Sequence, residues 1–331
     1  MIEVKDLRKI FQIHKKPPGL AASVKSLFRR DYVEKVAVAG ATFSVGEGEI
    51  VGMIGANGAG KTTLVKMLAG IIHPTSGEAR VLGYDPWEKH NDLRRQISLI
   101  MGQKAQLWWD LPGADCFELL REIYQIPRPT YEASLRHLTE MLQVESELTT
   151  QIRRLSLGER MKMELIAALL HSPRVVYLDE PTIGLDITTQ KSVRDFLLSY
   201  RKDHAPAMIL TSHYMEDIER LCERIIIIRE GELVYDGSLQ RVIHEYAPYK
   251  RLTVHLSRST SATMEREILD RLGEVVEEQA GTIVMHVPRD QVTSAAAEIL
   301  RKFDVQDLSI ADPEISEIIE LLMGGREKTT P

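Results

Sequence analysis

Gly55-Ala56-Asn57-Gly58-Ala59-Gly60-Lys61-Thr62 is the stretch on which the reading of this chain turns. It fits the pattern GxxxxGK[ST]. Upstream, Ile50, Val51, Met53 and Ile54 form a short apolar run suited to a buried strand. Downstream, Leu64 and Leu68 fall on one face of a helix that Gly70 would end. Strand, glycine turn and helix start, in that order, let backbone N–H groups turn inward around phosphate oxygens. The helix beginning near Lys61 adds the positive end of its dipole. Lys61 would then reach the β- and γ-phosphates of a nucleotide, and the Thr62 hydroxyl would ligate Mg²⁺.

Working outward, a second apolar run, Val175-Val176-Tyr177-Leu178, delivers Asp179 and Glu180 to a strand end. Ligands of parallel sheets bind at the carboxyl ends of strands. Asp179 suits Mg²⁺ coordination, and Glu180 can orient or polarise an attacking water. Acidic pairs at strand ends are common and often structural; this one gains weight from the glycine loop upstream. Met208-Ile209-Leu210 runs into Thr211-Ser212-His213, and Ile225 to Ile228 turns at Glu230-Gly231. Such runs separated by helical stretches imply an α/β core with a largely parallel sheet.

The composition narrows the class. The chain has 331 residues, 44% hydrophobic and 27% charged, the balance of a folded globular protein with room for one large and one smaller domain. A net charge of −6 without a basic stripe argues against nucleic acid as a partner. Cys116 and Cys222 are the only cysteines and lie far apart, which fits a reducing cytosol better than a disulfide framework or a zinc site. The remaining histidines are scattered without metal-ligand spacing. Met1 to Asp6 lacks the apolar core of a signal peptide, and no apolar run approaches the roughly 18 residues that cross a bilayer. Any membrane-spanning part is expected from another chain.

Pattern and composition change after Tyr246. Leu252, Val254 and Leu256 alternate, Met264, Ile268 and Leu272 follow at helical spacing, and Val275-Val276 is a weak strand. Ile283, Met285 and Val287 alternate again, Val292 to Phe303 reads as a helix, and Leu308 and Ile310 close a last strand. The order β-α-β-β-α-β predicts a small α+β, ferredoxin-like domain over 247–331, following a first domain over 1–240. Asp312-Pro313-Glu314 and the stripe Ile315, Ile318, Ile319, Leu322 predict one more amphipathic helix. Residues 15 to 35 read as an insertion. Lys15-Lys16-Pro17-Pro18-Gly19 breaks regular structure, then Leu20, Val24, Leu27 and Phe28 mark one helical face with Lys25, Arg29 and Arg30 off it. That element either packs on its own domain or lies near anionic lipid or a membrane partner.

Together these residues resemble the ATP-binding subunit of ABC transporters, over roughly Met1 to Gln240. Leu155-Ser156-Leu157-Gly158-Glu159 is similar to the family's LSGGQ signature, Gly184-Leu185-Asp186 to its D-loop, and Thr211-Ser212-His213 to its switch-histidine segment. Gln103, after the apolar Ile97 to Met101 run, resembles the Q-loop glutamine, and Phe11 stands where the family stacks an aromatic on adenine. Trp108-Trp109, in the stretch after Gln103, and Glu180 to Asp186 resemble the drug-resistance and antibiotic-export cassettes, which pair with separately encoded membrane permease subunits.

The resemblance implies a P-loop NTPase fold, a mixed sheet with a helical signature subdomain, and ATPase activity with ATP and Mg²⁺. It implies ATP contacts from Phe11, Gly55, Asn57, Gly58, Ala59, Gly60, Lys61, Thr62, Thr63, Gln103, Ser156, Gly158 and Asp186, and Mg²⁺ contacts from Thr62, Gln103 and Asp179. Glu180 would be the general base, with His213 and Lys61 completing the catalytic set. Two copies would close head to tail over two ATP molecules, at the cytoplasmic face of a prokaryotic cell membrane, to drive an exporter. The competing class is a soluble cassette acting on ribosomes or nucleic acid. Two departures stand out: Leu157 replaces the signature's first glycine and Glu159 its glutamine. Leu157 is similar to a variant of exporter cassettes. Glu159 would oppose closure if it faced the phosphates and leave it alone if it pointed outward. Trp108-Trp109 has two readings, core packing or contact with the membrane subunit. The C-terminal domain also has two, a dimer-stabilising appendage or a sensor.

Overall fold

The apolar runs around 50–54, 175–178, 208–210 and 225–228 become neighbouring strands of one sheet. In the computed structural model, which describes residues 1–14, 32–102, 104–257, 263–279, 281–313 and 315–323, the first nine strands are β1 (Ile2–His14), β2 (Tyr32–Val45), β3 (Ile50–Ile54), β4 (Ser76–Val81), β5 (Ile97–Met101), β6 (Val175–Asp179), β7 (Ala207–Thr211), β8 (Arg224–Arg229) and β9 (Glu232–Ser238). Six of them form a sheet in the order β5-β6-β7-β3-β8-β9. The pairs β5/β6, β6/β7, β3/β7 and β3/β8 are parallel. Every residue of β3, β6 and β7 is buried, which is why these strands read as continuous apolar runs rather than alternating ones.

A second sheet, antiparallel in the order β2-β1-β4, stands beside it. Helix α1 (Lys61–Leu68) starts directly from the glycine loop, and its Leu64, Val65, Met67 and Leu68 are fully buried. They join Ile2, Val4 and Phe43 of the antiparallel sheet and Met53, Tyr177 and Ile209 of the parallel one in a single core. Each such burial contributes about 1.5–3 kcal/mol. The helix that presents Lys61 is thus fixed from both sides. Between β5 and β6 the chain turns helical: α2 (Gly113–Tyr124), α3 (Arg128–Leu142) and α4 (Leu157–Leu169). Helices α5 (Ile187–His204) and α6 (Met215–Leu221) flank β7 in sequence.

The segment expected to be inserted over 15–35 is shorter. Tyr32 to Lys35 belong to β2, where Lys35 pairs with Phe11, Val33 with Ile13 and Tyr32 with His14. Residues 15–31, and with them the expected amphipathic helix, lie outside the described residues. Pairing with β1 satisfies the backbone of 32–35, a long-range gain that local composition does not register.

The chain divides into two units, Met1–Gly237 and Ser238–Pro331. The second holds α7 (Leu239–Tyr246), β10 (Tyr249–Leu256), α8 (Thr263–Leu272), β11 (Glu274–Gln279), β12 (Thr282–Pro288), α9 (Val292–Lys302), β13 (Val305–Ala311) and α10 (Ile315–Met323). Its sheet has the order β11-β12-β10-β13 with every pair antiparallel, the ferredoxin-like arrangement that the alternating patterns predict. Leu252, Val254, Ile283, Met285 and Val287 face Ala295 and Ile299 of α9 in a core of its own.

Leu64→Ala is expected to lower the unfolding free energy of the first unit by about 2–5 kcal/mol, read by urea denaturation, because the cavity opens in the core common to both sheets.

Candidate nucleotide site

The loop between β3 and α1 is built on backbone that only glycine accepts comfortably. Gly60 sits at φ 113° at the N-terminus of α1, and a Cβ there would strike the carbonyl oxygen of Ala37. Neighbouring elements hold the loop: the Gly231 N–H donates to the Ala59 carbonyl (3.0 Å), and the Ala39 N–H to the Gly231 carbonyl (2.8 Å). Lys61 is 6% exposed, and its Nζ donates to the carbonyls of Gly55 (2.6 Å) and Ala56 (3.2 Å). Burial pushes its pKa down, while Glu180 and Asp179 pull in the opposite direction. A buried cation satisfied only by two loop carbonyls and two nearby carboxylates is poised for an anionic ligand.

Asn57, Gly58, Gly60, Lys61, Thr62 and Thr63 line a cavity of about 530 Å³, together with Phe11 and Glu180. Its far wall is the β1/β2 pair, with Gln12, Ile13, Lys35 and Ala37. Phe11 thus lines the same cavity as the cationic loop, with the Lys9 ammonium 5.0 Å from its ring centroid. Gly55 and Ala59 are buried behind the loop and shape it from within.

The carboxyl ends of β6 and β7 supply the acids. Thr62 Oγ1 donates to both oxygens of Asp179 (3.0 and 3.1 Å), and Thr211 Oγ1 donates to Asp179 Oδ1 (2.7 Å). The Glu180 N–H donates to the Thr211 carbonyl (3.0 Å) and hydroxyl (3.2 Å). Glu180 itself lies at φ 57°, left-handed backbone that is uncommon outside glycine and concentrates at functional sites. Its Oε1 lies 2.7 Å from His213 Nε2. Thr62, Asp179 and Glu180 also line an adjoining recess of about 180 Å³. A hydroxyl and a carboxylate pointing into one small recess are the hard oxygen donors that Mg²⁺ prefers, so the residues fit that ion.

The signature lies elsewhere. Ser156, Gly158 and Asp186 line neither the cavity nor the recess. Ser156 caps α4 in a reciprocal box: its N–H and Oγ–H both donate to Glu159 Oε2 (2.8 Å each), and the Glu159 N–H donates to Ser156 Oγ (3.3 Å). Glu159 thus folds back on its own helix end. The hydrogen bonds from Ser156 hold its pKa below the ordinary glutamate value. Leu157 packs over Gly184, whose Cβ, if present, would lie 3.2 Å from Leu157 Cδ2. Asp186 caps α5 by accepting from the Thr189 N–H (3.0 Å) and hydroxyl (2.6 Å), which lowers its pKa.

Comparison with known proteins gives the family. The family model described as "ABC transporter" matches residues 38–183, and one described as "EvrA-like ABC transporter, C-terminal domain" matches 248–311. The ABC transporter ATP-binding protein NatA of Bacillus subtilis (strain 168) is 29% identical over 62% of this chain and 82% of its own length. An uncharacterized ABC transporter ATP-binding protein of Methanocaldococcus jannaschii is 32% identical over 62% of this chain and 73% of its own. The chain belongs to the ABC transporter ATP-binding proteins. A solved structure titled as the ATP binding subunit of an ABC transporter superposes with a TM-score of 0.62 at 25% identity, covering 74% of this chain and 92% of that one.

This ABC cassette is accordingly an ATP-driven transporter subunit and an ATPase, not a ribosomal or nucleic-acid-directed cassette. No helix among its described residues is long and apolar enough to cross a membrane. Gln103 lies outside the described residues, but the stretch after it is tied down: the carboxylate of buried Glu164 on α4 accepts from the N–H groups of Gln106 (2.8 Å) and Leu107 (3.2 Å). Trp108 and Trp109 are 43% and 50% exposed, so neither is a core residue, and the Arg160 guanidinium lies 5.5 Å from the Trp109 ring. Sequence reasoning gave no role to Lys35 and Ala37 on the cavity wall, nor to the Thr211 hydroxyl on Asp179. Strand pairing and a parallel register put them there, and neither shows in local composition.

The capping box has a direct readout. The Glu159 carboxyl contributes stability above its unfolded pKa and loses it as pH falls through the lower folded value. Carbon-detected NMR titration should place Glu159 below ordinary glutamate in the parent and return it toward that value in Ser156→Ala.

Proposed function

We propose that this cassette is the energy-coupling subunit of a multi-chain exporter, acting as a head-to-tail pair of copies at the cytoplasmic face of the membrane. The observation that carries the pairing is the separation of the two halves of the site. The cavity collects Phe11, the loop around Lys61, and Glu180, while Ser156, Gly158 and Asp186, at the starts of α4 and α5, do not line it. One chain cannot bring its own signature to its own phosphates; a second copy can, and a twofold arrangement then completes two sites at once.

ATP would lie with its base against Phe11 and its phosphates in the loop, held by backbone N–H groups, Lys61 and the dipole of α1. Asn57, Gly58, Ala59 and Thr63 shape that cradle. Thr62 and Asp179, with Gln103, would hold Mg²⁺, which neutralises charge on the β- and γ-phosphates. Glu180 would accept the proton of the attacking water, and His213, 2.7 Å away, would hold Glu180 and the γ-phosphate in line. Separately encoded permease subunits would dock on the face that carries exposed Trp108 and Trp109, since aromatic side chains favour interfaces. Export as the direction rests on the likeness of that stretch, and of Glu180 to Asp186, to drug-resistance and antibiotic-export cassettes.

Glu180→Gln is expected to lower kcat by about 10²–10⁴ and to accumulate an ATP-bound dimer, read by phosphate release and by light scattering after size exclusion. Full turnover, or a variant that stays monomeric in ATP, would sink the reading. In the Glu180→Gln background, Glu159→Gln should tighten ATP-dependent dimerisation, because a neutral acceptor holds the Ser156 hydroxyl less firmly. The same concentration series checks it, with an unchanged dimer midpoint as the opposing result.

A further inference from the structure

Asp217 is fully buried on α6, four residues after His213 and outside the cavity described above. Both of its carboxylate oxygens are nonetheless hydrogen-bonded. Oδ2 accepts from the Thr182 hydroxyl and from Ser212 Oγ (2.6 Å), and Oδ1 accepts from Arg194 Nη1 (2.9 Å). All three donors are themselves buried, at 1%, 3% and 1% exposure. Arg194 also reaches Glu216 (3.0 Å), and Ser212 Oγ accepts from the Tyr214 N–H (3.0 Å). Gln190, one turn before Arg194, donates to the Leu185 carbonyl (3.1 Å) and so fastens the turn ahead of α5.

The placement of the donors matters more than their number. Thr182 follows Glu180 by two residues, Ser212 immediately precedes His213, and Arg194 lies on α5, the helix that Asp186 caps. One carboxylate therefore binds the segments that carry Glu180, His213 and Asp186. A carboxylate withdrawn from water costs several kcal/mol unless it is paired and hydrogen-bonded, so this cluster favours the arrangement that keeps these donors in place. Stability alone does not call for it, because an apolar cluster of the same volume would pack as well or better.

We propose that Asp217, with Arg194, Thr182 and Ser212, is a positioning cluster that sets the Glu180–His213 pair in register with the start of α5. The inference rests on the reading of Glu180 as the water-activating residue. It makes none of the four a catalytic residue; they act on where Glu180 and His213 stand. A displacement of such groups by a fraction of an ångström slows chemistry while leaving nucleotide binding, which depends on the loop around Lys61, untouched.

The test uses the full-length chain and substitutions that keep volume. Thr182→Val removes the hydroxyl, Thr182→Ser keeps it, and Ser212→Ala removes a second donor independently. ATP turnover and nucleotide affinity are measured for each, beside Glu180→Gln. The expected result is a fall in kcat of roughly tenfold in Thr182→Val and Ser212→Ala, with KM and nucleotide affinity unchanged and Thr182→Ser close to the parent. Parental kcat in both donor-deleting variants, with Glu180→Gln inactive, overturns the positioning cluster alone. A matching loss of nucleotide affinity in those variants also overturns it, since that marks a general structural role. Turnover that survives Glu180→Gln brings down the assignment of Glu180 first and this inference with it.

Discussion

The hydrogen bonds from Thr62 and Thr211 to Asp179 join the three parts that the nucleotide site needs. Thr62 opens α1, Asp179 ends β6 and Thr211 ends β7, so one carboxylate ties the start of a helix to the ends of two adjacent strands. The arrangement depends on how firmly α1 is packed. Its apolar face is buried in the core built by both sheets, and Tyr177 of β6 donates its hydroxyl to the Leu68 carbonyl at the far end of the same helix (3.3 Å). With both ends of α1 referenced to β6, the Lys61 ammonium and the acids at 179 and 180 keep a fixed relation. Preorganisation of that kind lets charged groups act without rearranging at the moment of reaction.

What could be read in the sequence follows the range of the forces involved. The glycine loop, the buried strands and the β-α-β-β-α-β order of the second unit are local signals: turn chemistry, continuous apolar runs, and alternation of period two against three to four. Leu252, Val254, Ile283 and Met285 fell on the core side because alternation in a half-buried strand leaves no other choice. Pairings between distant segments left no such trace. Tyr32 to Lys35 looked like part of an insertion until their partners at 11–14 were known, and Lys35 reaches the cavity wall only through that pairing. Asp217 and Arg194 are 23 residues apart and nothing in their surroundings marks them as a pair. Glu159 is a different case, because Ser156-Leu157-Gly158-Glu159 is itself the S-x-x-E pattern of a capping box at a helix start.

That capping box bears on how two copies would engage. In the proposed dimer the Ser156 hydroxyl has to donate to a γ-phosphate across the interface, yet in the single chain it donates to Glu159. Exchange of acceptors is nearly balanced, one anionic partner for another, and a charge-assisted bond of about 1.5–3 kcal/mol must be surrendered to make its replacement. The α4 cap is not lost with it, because the Ser156 N–H still donates to Glu159. In that dimer Glu159 would compete with the phosphate for the Ser156 hydroxyl without weakening the start of the helix that carries the signature.

Leu157 acts on the same junction from the other side. By packing over Gly184 it joins the signature end of α4 to the turn before α5, a contact that a glycine at 157 would not make. Gly158 adds to it: a Cβ there would lie 3.0 Å from Thr189 Cγ2, so the two helix starts approach closely. Both departures from the signature thus tighten contacts within the chain, one through a carboxylate and one through an apolar side chain. The start of α4 is held to its own subunit, and in the proposed dimer the binding energy of ATP would have to offset that hold.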